Sequence, residues 1–281
     1  MTDSLPEAFA SLPNNWRVWL LENAARGCTS QSMYELLIEN CAITPEIAKS
    51  VVEQAIVYQQ RQFLPSRPDV NTRENMLDAA GQIVEIVMTL LNPRIVVFRN
   101  VLTDKECDAL VSMSSQRQAR STVVESASGL LEEHDERTSY GAVFQRGENE
   151  LITLIENRLA FLCNWPVNHA EGLQVLRYGP GDEYKPHFDW FDPEQPGPSK
   201  HMEHGGQRVG TLVMYLSDVE EGGGTSFPNI GLEVRPHKGG AVFFADIDEL
   251  GAPDQQTLHA GLPVIKGVKI IATKWMRQRV Y

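Results

Sequence analysis

Tyr184-Lys185-Pro186-His187-Phe188-Asp189-Trp190-Phe191 (YKPHFDWF) sets a histidine and an aspartate two residues apart inside an aromatic run. The alternation is that of a β-strand, in which residues i and i+2 project from the same face. The His187 imidazole and the Asp189 carboxylate are therefore expected to point the same way and to grip one small object, a metal ion being one candidate. A His-x-Asp pair alone is a weak signal. Its meaning depends on whether the chain also supplies a third ligand, an anchor for a cosubstrate and a scaffold.

The scaffold surrounds the pair. From Gly172 onward the chain reads as short apolar runs with turn residues between them, at about 172–178, 184–190, 208–216, 224–227, 231–235, 240–245, 257–260 and 268–277. So many short strands in so short a segment predict an all-β sandwich or barrel, most simply a jelly roll. The triple glycine of GGGTSFP predicts a tight turn with positive φ before Thr225 and Phe227 resume a strand. The polar segment DPEQPGPSKHMEHGG (192–206) directly follows the His-x-Asp pair and is expected to be a long loop acting as a mobile lid.

Upstream, residues 14–60 carry helical spacing. Trp16, Trp19 and Leu20 fall at i, i+3, i+4, as do Met33, Leu36 and Leu37. Ser30 or Ser32 is the expected cap of a second helix, and Thr44-Pro45 the start of a third, with Ile47, Val51, Val52, Ala55 and Ile56 inward. Residues 61–73 (RQFLPSRPDVNTR) read as a linker. Gln82–Met88 and Arg94–Phe98 read as strands. Thr103 and Glu106 form a capping-box pattern ahead of a helix to about Ser115. A strand at Ser121–Val124 and an acidic loop at 125–136 are expected to follow. A further helix, Asn149–Leu162, is expected to bury Leu151, Leu154, Ile155 and Leu159. The resulting assignment is α+β: a double-stranded β-helix (jelly roll) core with supporting helices, plus a small N-terminal helical region. The boundaries are 1–65 for that region and 66–281 for the main domain, with its core at about 172–280.

The chain has 281 residues, 42% hydrophobic and 22% charged, an ordinary globular profile. Its formal charge of −12 disfavours a general nucleic-acid binder, so no nucleic-acid partner is expected. There is no run of apolar residues long enough for a membrane span, and no secretory signal is read at the N-terminus. The four cysteines, Cys28, Cys41, Cys107 and Cys163, are scattered and are expected to be reduced thiols in a cytoplasmic protein.

The candidates for a third ligand are His201, His204, His237 and His259. His201 and His204 fall in the polar segment and are expected to be solvated, as is His237 at a strand turn. His259, in TLHAG, stands at a strand end where its ring can point inward. Two histidines and one carboxylate form the facial set that holds non-haem Fe(II) and leaves other positions open. A closed structural zinc site wants four protein ligands. Lys269, in the apolar strand VKIIATKW, is costly to bury unless an anion meets it. If Lys269 points inward, the far carboxylate of 2-oxoglutarate fits that need; Lys274 is expected to face outward.

At this point the chain from about Gly172 to Val280 resembles the prolyl 4-hydroxylase branch of the 2-oxoglutarate- and Fe(II)-dependent dioxygenases. The matching pieces are LRYGPGDEYKPHFDW, RVGTLVMYLSDVEEGGGTSFP, RPHKGGAVFF and TLHAGLPVIKGVKIIATKW, in the family's order. The resemblance implies that His187, Asp189 and His259 are iron ligands. It implies that Lys269 pairs with the distal carboxylate of 2-oxoglutarate, that Tyr178 hydrogen-bonds the same group, and that Thr211 and Tyr215 face that pocket. It places Tyr184, Arg208, Trp275 and Arg277 along a peptide groove.

The implied cofactors are Fe(II), 2-oxoglutarate and dioxygen, with ascorbate as a reductant. The implied reaction hydroxylates a prolyl residue in a peptide or protein and releases succinate and CO2. The same chemistry on another residue or a free amino acid is the alternative, and a non-catalytic partner-binding protein a more remote one. Alkylated-base repair enzymes share the ligand spacing, but Lys269 and the acidic charge argue against them. The oligomeric state is left open, a homodimer included.

Overall fold

In the computed structural model the described residues are 12–26, 28–41, 43–63, 67–117, 119–120, 123–124, 131–132, 139–192 and 194–281. The chain divides into two compact units, Met1–Pro65 and Ser66–Tyr281. In the first, α1 (Asn14–Ala25) and α2 (Ser30–Asn40) both pack on α3 (Pro45–Phe63). Leu20, Met33, Leu37, Val51, Val52 and Ala55 form its core. Trp16 and Trp19 meet edge to face at 5.4 Å.

Two local expectations shift here. The cap of α2 is Thr29, not Ser30 or Ser32: its side chain accepts the Ser32 N–H. Ile47 is exposed, not inward. Ala48, Val51, Val52 and Ala55 already complete the buried stripe, and Ile47 stands about 100° round the helix from Ala48.

The second unit is mostly antiparallel strands. They are β1 (Met76–Ala79), β2 (Gln82–Leu90), β3 (Ile95–Arg99), β4 (Ala119–Arg120), β5 (Val123–Val124), β6 (Leu131–Glu132), β7 (Tyr140–Phe144), β8 (Leu173–Tyr178), β9 (Tyr184–His187), β10 (Arg208–Tyr215), β11 (Glu221–Gly222), β12 (Thr225–Phe227), β13 (Leu232–Val234), β14 (Ala241–Ala245), β15 (His259–Gly261), β16 (Val264–Lys266) and β17 (Lys269–Arg277). A large sheet runs β1-β2-β3-β14-β10-β17-β8-β7-β4, and a smaller one runs β13-β12-β15-β9. Phe227 of the small sheet meets Phe244 of the large one edge to face at 5.2 Å, inside a cluster with Ile95, Leu176, Val213 and Ile271. This is the jelly-roll core expected from the strand pattern.

The local chemistry explains the layout. β10 is central, between β14 and β17, and buried from Val209 onward, which its near-continuous apolar run requires. β9 lies at the edge of the small sheet, where Pro186 costs no ladder hydrogen bond. Gly222 has φ +77, and a Cβ there would stand 2.4 Å from the Pro263 carbonyl oxygen, so the turn admits only glycine. The β11–β16 pair is an addition to the expected strands. Among the described residues no helix is long and apolar enough to cross a membrane, and all four cysteines are free.

Three helices brace the large sheet or border the site. In α4 (Asp104–Ser115) Thr103 and Glu106 form the expected capping box. Arg158 of α5 (Glu150–Leu162) grips Glu106 through two hydrogen bonds of 2.8 and 2.9 Å. The buried stripe of α5 is Ile152, Ile155, Leu159 and Leu162, while Leu154 is exposed. α6 (Pro196–Glu203) occupies the segment expected to be a loop. Its prolines fall in the first turn, where a missing N–H costs nothing. The acidic loop expected at 125–136 lies mostly outside the described residues, as do residues 121–122 of the strand expected before it.

Lys274 is buried, contrary to its expected outward position, and its ammonium meets the equally buried Glu156 carboxylate. The other Glu156 oxygen accepts the Gly147 N–H at 2.8 Å. Replacing one partner strands the other charge in the interior. Glu156→Ala or Lys274→Ala is expected to cost about 3–5 kcal/mol in chemical denaturation, against far less for joint replacement by Leu and Met. A loss below about 1 kcal/mol for both single variants would mean that the pair adds no more than a surface ion pair.

Candidate active site

The register of one strand pair builds the centre. β15 runs antiparallel to β9 with His259 directly opposite His187. Directly opposed side chains stand side by side on one face, and the two imidazole centroids are 4.3 Å apart. Each ring is oriented by the carbonyl two residues before it. His187 Nδ1 lies 2.8 Å from the Lys185 oxygen, and His259 Nδ1 lies 3.0 Å from the Thr257 oxygen. A carbonyl only accepts, so Nδ1 carries the proton in both rings and Nε2 keeps its lone pair for a cation.

β9 ends at His187, earlier than the strand expected to 190. Beyond it the backbone is held by a side chain instead of a ladder. Gln207 accepts the Phe191 N–H at 2.7 Å and donates to the Phe191 oxygen at 2.6 Å. Asp189 still turns inward. Its Oδ1 is 3.7 Å from His187 Nε2 and its Oδ2 is 3.6 Å from His259 Nε2. The three residues offer ligand atoms within 4.8 Å of one another, the one such group of three or more among the described residues. Burial alone would raise the Asp189 pKa, but His259, His187 and Arg208 outweigh it and hold it at about 2. That positive charge on the two rings is what a divalent cation bound at their Nε2 atoms would replace, and two imidazole nitrogens with a carboxylate suit a cation of nitrogen and oxygen preference.

The adjoining cavity is lined by Leu176, Tyr178, Tyr184, Val213, Thr225, Lys269, Ile271, Thr273 and Trp275 together with the three candidate ligands. Lys269 points inward. It opens β17 opposite Tyr178 of β8, is 3% exposed, and its Nζ is 5.6 Å from the Tyr178 ring centre. No carboxylate of the described residues pairs with it, and burial lowers its pKa to about 8. Keeping the charged form there costs about 3 kcal/mol. Gly223 packs beside its stem, where a Cβ would touch Cδ at 3.5 Å. Metal-site residues and an unneutralised buried ammonium thus share one cavity, as a dicarboxylate spanning both requires.

Tyr184 lines the same cavity and stacks on His187, with centroids 3.6 Å apart. Trp275 lines it too. Arg208 and Arg277, expected along a peptide groove, both bind Glu171. Glu171 accepts from Arg208 Nε and Nη2 at 2.7 and 3.0 Å, and from Arg277 Nη1 at 2.7 Å. Burial would raise the Glu171 pKa, and the two guanidinium groups bring it below the usual range. Arg208 also lies over the Trp275 and Phe191 rings at 4.1 and 4.8 Å. Arg277 Nη2 donates to the carbonyls of His201 and His204, so it ties down α6 and its end.

Thr211 and Tyr215 share the inward face of β10, but Val213 between them is the β10 residue that lines the cavity. The Thr211 hydroxyl is 2.8 Å from Asp189 Oδ2 and 3.0 Å from Asp246 Oδ2. The Tyr215 hydroxyl donates to Thr225 Oγ1 at 2.9 Å. The His201 ring stacks on Phe191, the His204 ring lies 4.8 Å from Tyr281, and His237 is exposed beside Asp218. None of the three joins the centre. Glu171, Thr273 and Asp246 escaped the sequence reading, and Thr225 was read only as a strand residue, since single polar residues beside apolar runs read equally well as exposed.

Known proteins carry the same arrangement of sequence. The 2OG-Fe(II) oxygenase superfamily matches residues 173–277. A probable prolyl 4-hydroxylase 3 of Arabidopsis thaliana is 39% identical over 208 residues, covering 67% of this chain and 71% of that protein. The human prolyl 4-hydroxylase subunit alpha-1 is 36% identical over 187 residues, 66% of this chain and 35% of that protein. Among solved structures, the viral collagen prolyl hydroxylase from Paramecium Bursaria Chlorella virus-1, in its 2OG complex, superposes with a TM-score of 0.51 at 33% identity, over 65% of this chain and 95% of that one. The chain belongs to the prolyl 4-hydroxylase family of 2-oxoglutarate- and Fe(II)-dependent oxygenases.

Proposed function

We propose that this protein hydroxylates a prolyl residue in a peptide or protein substrate, with His187, Asp189 and His259 holding Fe(II) and Lys269 with Tyr178 holding the distal carboxylate of 2-oxoglutarate. The observation that carries the reading is the buried Lys269 ammonium, which no carboxylate of the described residues meets, in the cavity that the three candidate ligands line. Fe(II) bound there with 2-oxoglutarate and dioxygen supplies the oxidation: one oxygen atom enters a C–H bond, and the other enters succinate as CO2 leaves.

The protein's share is position and exclusion. The carbonyl-held imidazoles and the Thr211-held carboxylate fix three donors on one side of the cavity. Leu176, Val213 and Ile271 line the cavity with apolar surface, and Lys269 supplies a positive charge within it. Tyr184 and Trp275 are the aromatic walls against which a proline ring is proposed to rest. The relatives' names support proline as the residue modified.

The lysine gives a pH signature. Below pH about 8 its ammonium meets the cosubstrate carboxylate; above that the free site is neutral. The apparent affinity for 2-oxoglutarate is expected to fall above pH 8, by up to about tenfold per pH unit. The sign for the ligand-free fold is opposite. The unfolded chain binds more protons at this group between pH about 8 and the ordinary lysine value, so its contribution to stability rises with pH there. Lys269→Gln should remove both dependences, and a 2-oxoglutarate requirement unchanged by pH and by that variant would show that the lysine plays no part.

The substrate is tested directly. With Fe(II), 2-oxoglutarate, oxygen and ascorbate, proline-containing peptides are expected to gain the mass of one oxygen atom, located on proline by fragmentation, in step with succinate. His259→Ala should lose both products. Succinate coupled to oxygen on another residue, or on a free amino acid, would keep the chemistry and overturn proline as the target.

A further inference from the structure

Asp246 follows β14 directly and is fully buried, yet it does not line the cavity. Its backbone is fixed from both sides: its N–H donates to the Val209 oxygen at 3.1 Å, and its oxygen accepts the Asp254 N–H at 3.0 Å. Its carboxyl Oδ2 lies 3.0 Å from Thr211 Oγ1, and Oδ1 has no hydrogen-bond partner. Thr211 is itself fully buried, with Oγ1 also 2.8 Å from Asp189 Oδ2.

Counting protons orders this chain. A threonine hydroxyl carries one proton and can donate it to one of the two carboxylates. On the metal-site reading Asp189 is the anionic ligand between two imidazoles, its Oδ1 3.7 Å from His187 Nε2 and its Oδ2 3.6 Å from His259 Nε2. The Thr211 proton therefore goes to Asp189 Oδ2, and the contact with Asp246 is a hydrogen bond only if Asp246 brings its own proton. The surroundings agree. Burial and the Asp189 charge push the Asp246 carboxyl well up, Glu171 adds to this, and Thr211 and Arg208 pull the other way. An ionised carboxylate with one oxygen orphaned in the interior would be costly, whereas a neutral acid leaves only a carbonyl oxygen there.

We propose that Asp246 is a positioning residue for the metal centre: as a neutral acid it donates to Thr211, which is thereby obliged to donate to Asp189 and hold that ligand in one orientation. The role rests on the reading of His187, Asp189 and His259 as a metal site. It is distinct from the ligands themselves, because Asp246 touches neither them nor the cavity through any recorded hydrogen bond. Outer partners of metal-bound carboxylates act on affinity and orientation.

The test is the dissociation constant of the full-length protein for Mn(II), measured calorimetrically, beside the thermal midpoint of the metal-free form. Thr211→Val and Asp246→Ala are expected to weaken Mn(II) binding by about 10–100-fold. Asp246→Asn keeps a neutral donor for Thr211 and is expected to stay within about threefold of the unaltered protein. Loss in Asp246→Asn as deep as in Asp246→Ala overturns the proposal, since it would mean that the negative charge is required. Unchanged binding in Thr211→Val overturns it as well, and that variant, nearly isosteric, decides even if Asp246→Ala fails to fold. An unaltered protein that binds no divalent cation sinks the metal-site reading with it; tight binding by that protein and by all three variants sinks the positioning role alone.

Discussion

The pairing of β9 with β15 is the constraint on which the site depends. His187 stands opposite His259 in that register, and a slip of one residue would turn one imidazole to the other face. Several features serve to prevent the slip. Among the described residues β9 pairs with β15 alone, and Pro186 blocks a ladder bond on its open edge. Phe227 and Phe244 pack at 6.0 and 4.6 Å from the His259 ring and bind that end of the small sheet to the large one. The carbonyls of Lys185 and Thr257 then fix the rings themselves. Two short strands thus hold two ligands because the two sheets clamp them.

Charge is distributed unevenly through the interior, and the unevenness marks the function. Glu106 is answered by Arg158, Glu156 by Lys274, and Glu171 by Arg208 and Arg277. The first two pairs balance one to one, and in the third a single carboxylate joins two guanidinium groups; all of them link helices and strands. Lys269 and Asp189 differ: among the described residues the lysine has no carboxylate partner, and the aspartate stands between two imidazoles. A fold stores such uncompensated groups only where something else completes them. The Arg208–Glu171–Arg277 cluster also connects the aromatic segment after Asp189, the end of α6 and β17, so the wall beside the site is anchored instead of free.

Much of this was legible in the residues. The strand pattern after Gly172 disclosed the jelly roll, and His-x-Asp with an inward His259 and a lysine in an apolar strand disclosed the centre. What stayed hidden was partnership across the sheet. Lys269 and Lys274 lie in one strand, both in apolar surroundings, and only the position of Glu156 on a distant helix shows that one is neutralised and the other is not. Arg208 and Arg277 matched a groove by resemblance, and their shared partner Glu171, a lone acid before a glycine, gave no sign of itself in the sequence. Thr211 has the right parity to face inward, but its height along β10 sets its hydroxyl against Asp189 instead of the cavity. The segment 192–206 read as a loop because its prolines suggest breakage, although prolines in a first turn do not break a helix.

The most direct test of the account is the anaerobic absorption spectrum of the Fe(II)-loaded protein as 2-oxoglutarate is added. A charge-transfer band is predicted to grow to one equivalent of each per chain, to vanish in Asp189→Ala, and in Lys269→Ala to require far more 2-oxoglutarate. No band in the unaltered protein, or a band that neither substitution affects, would contradict the assignment of this cavity as the iron and 2-oxoglutarate site.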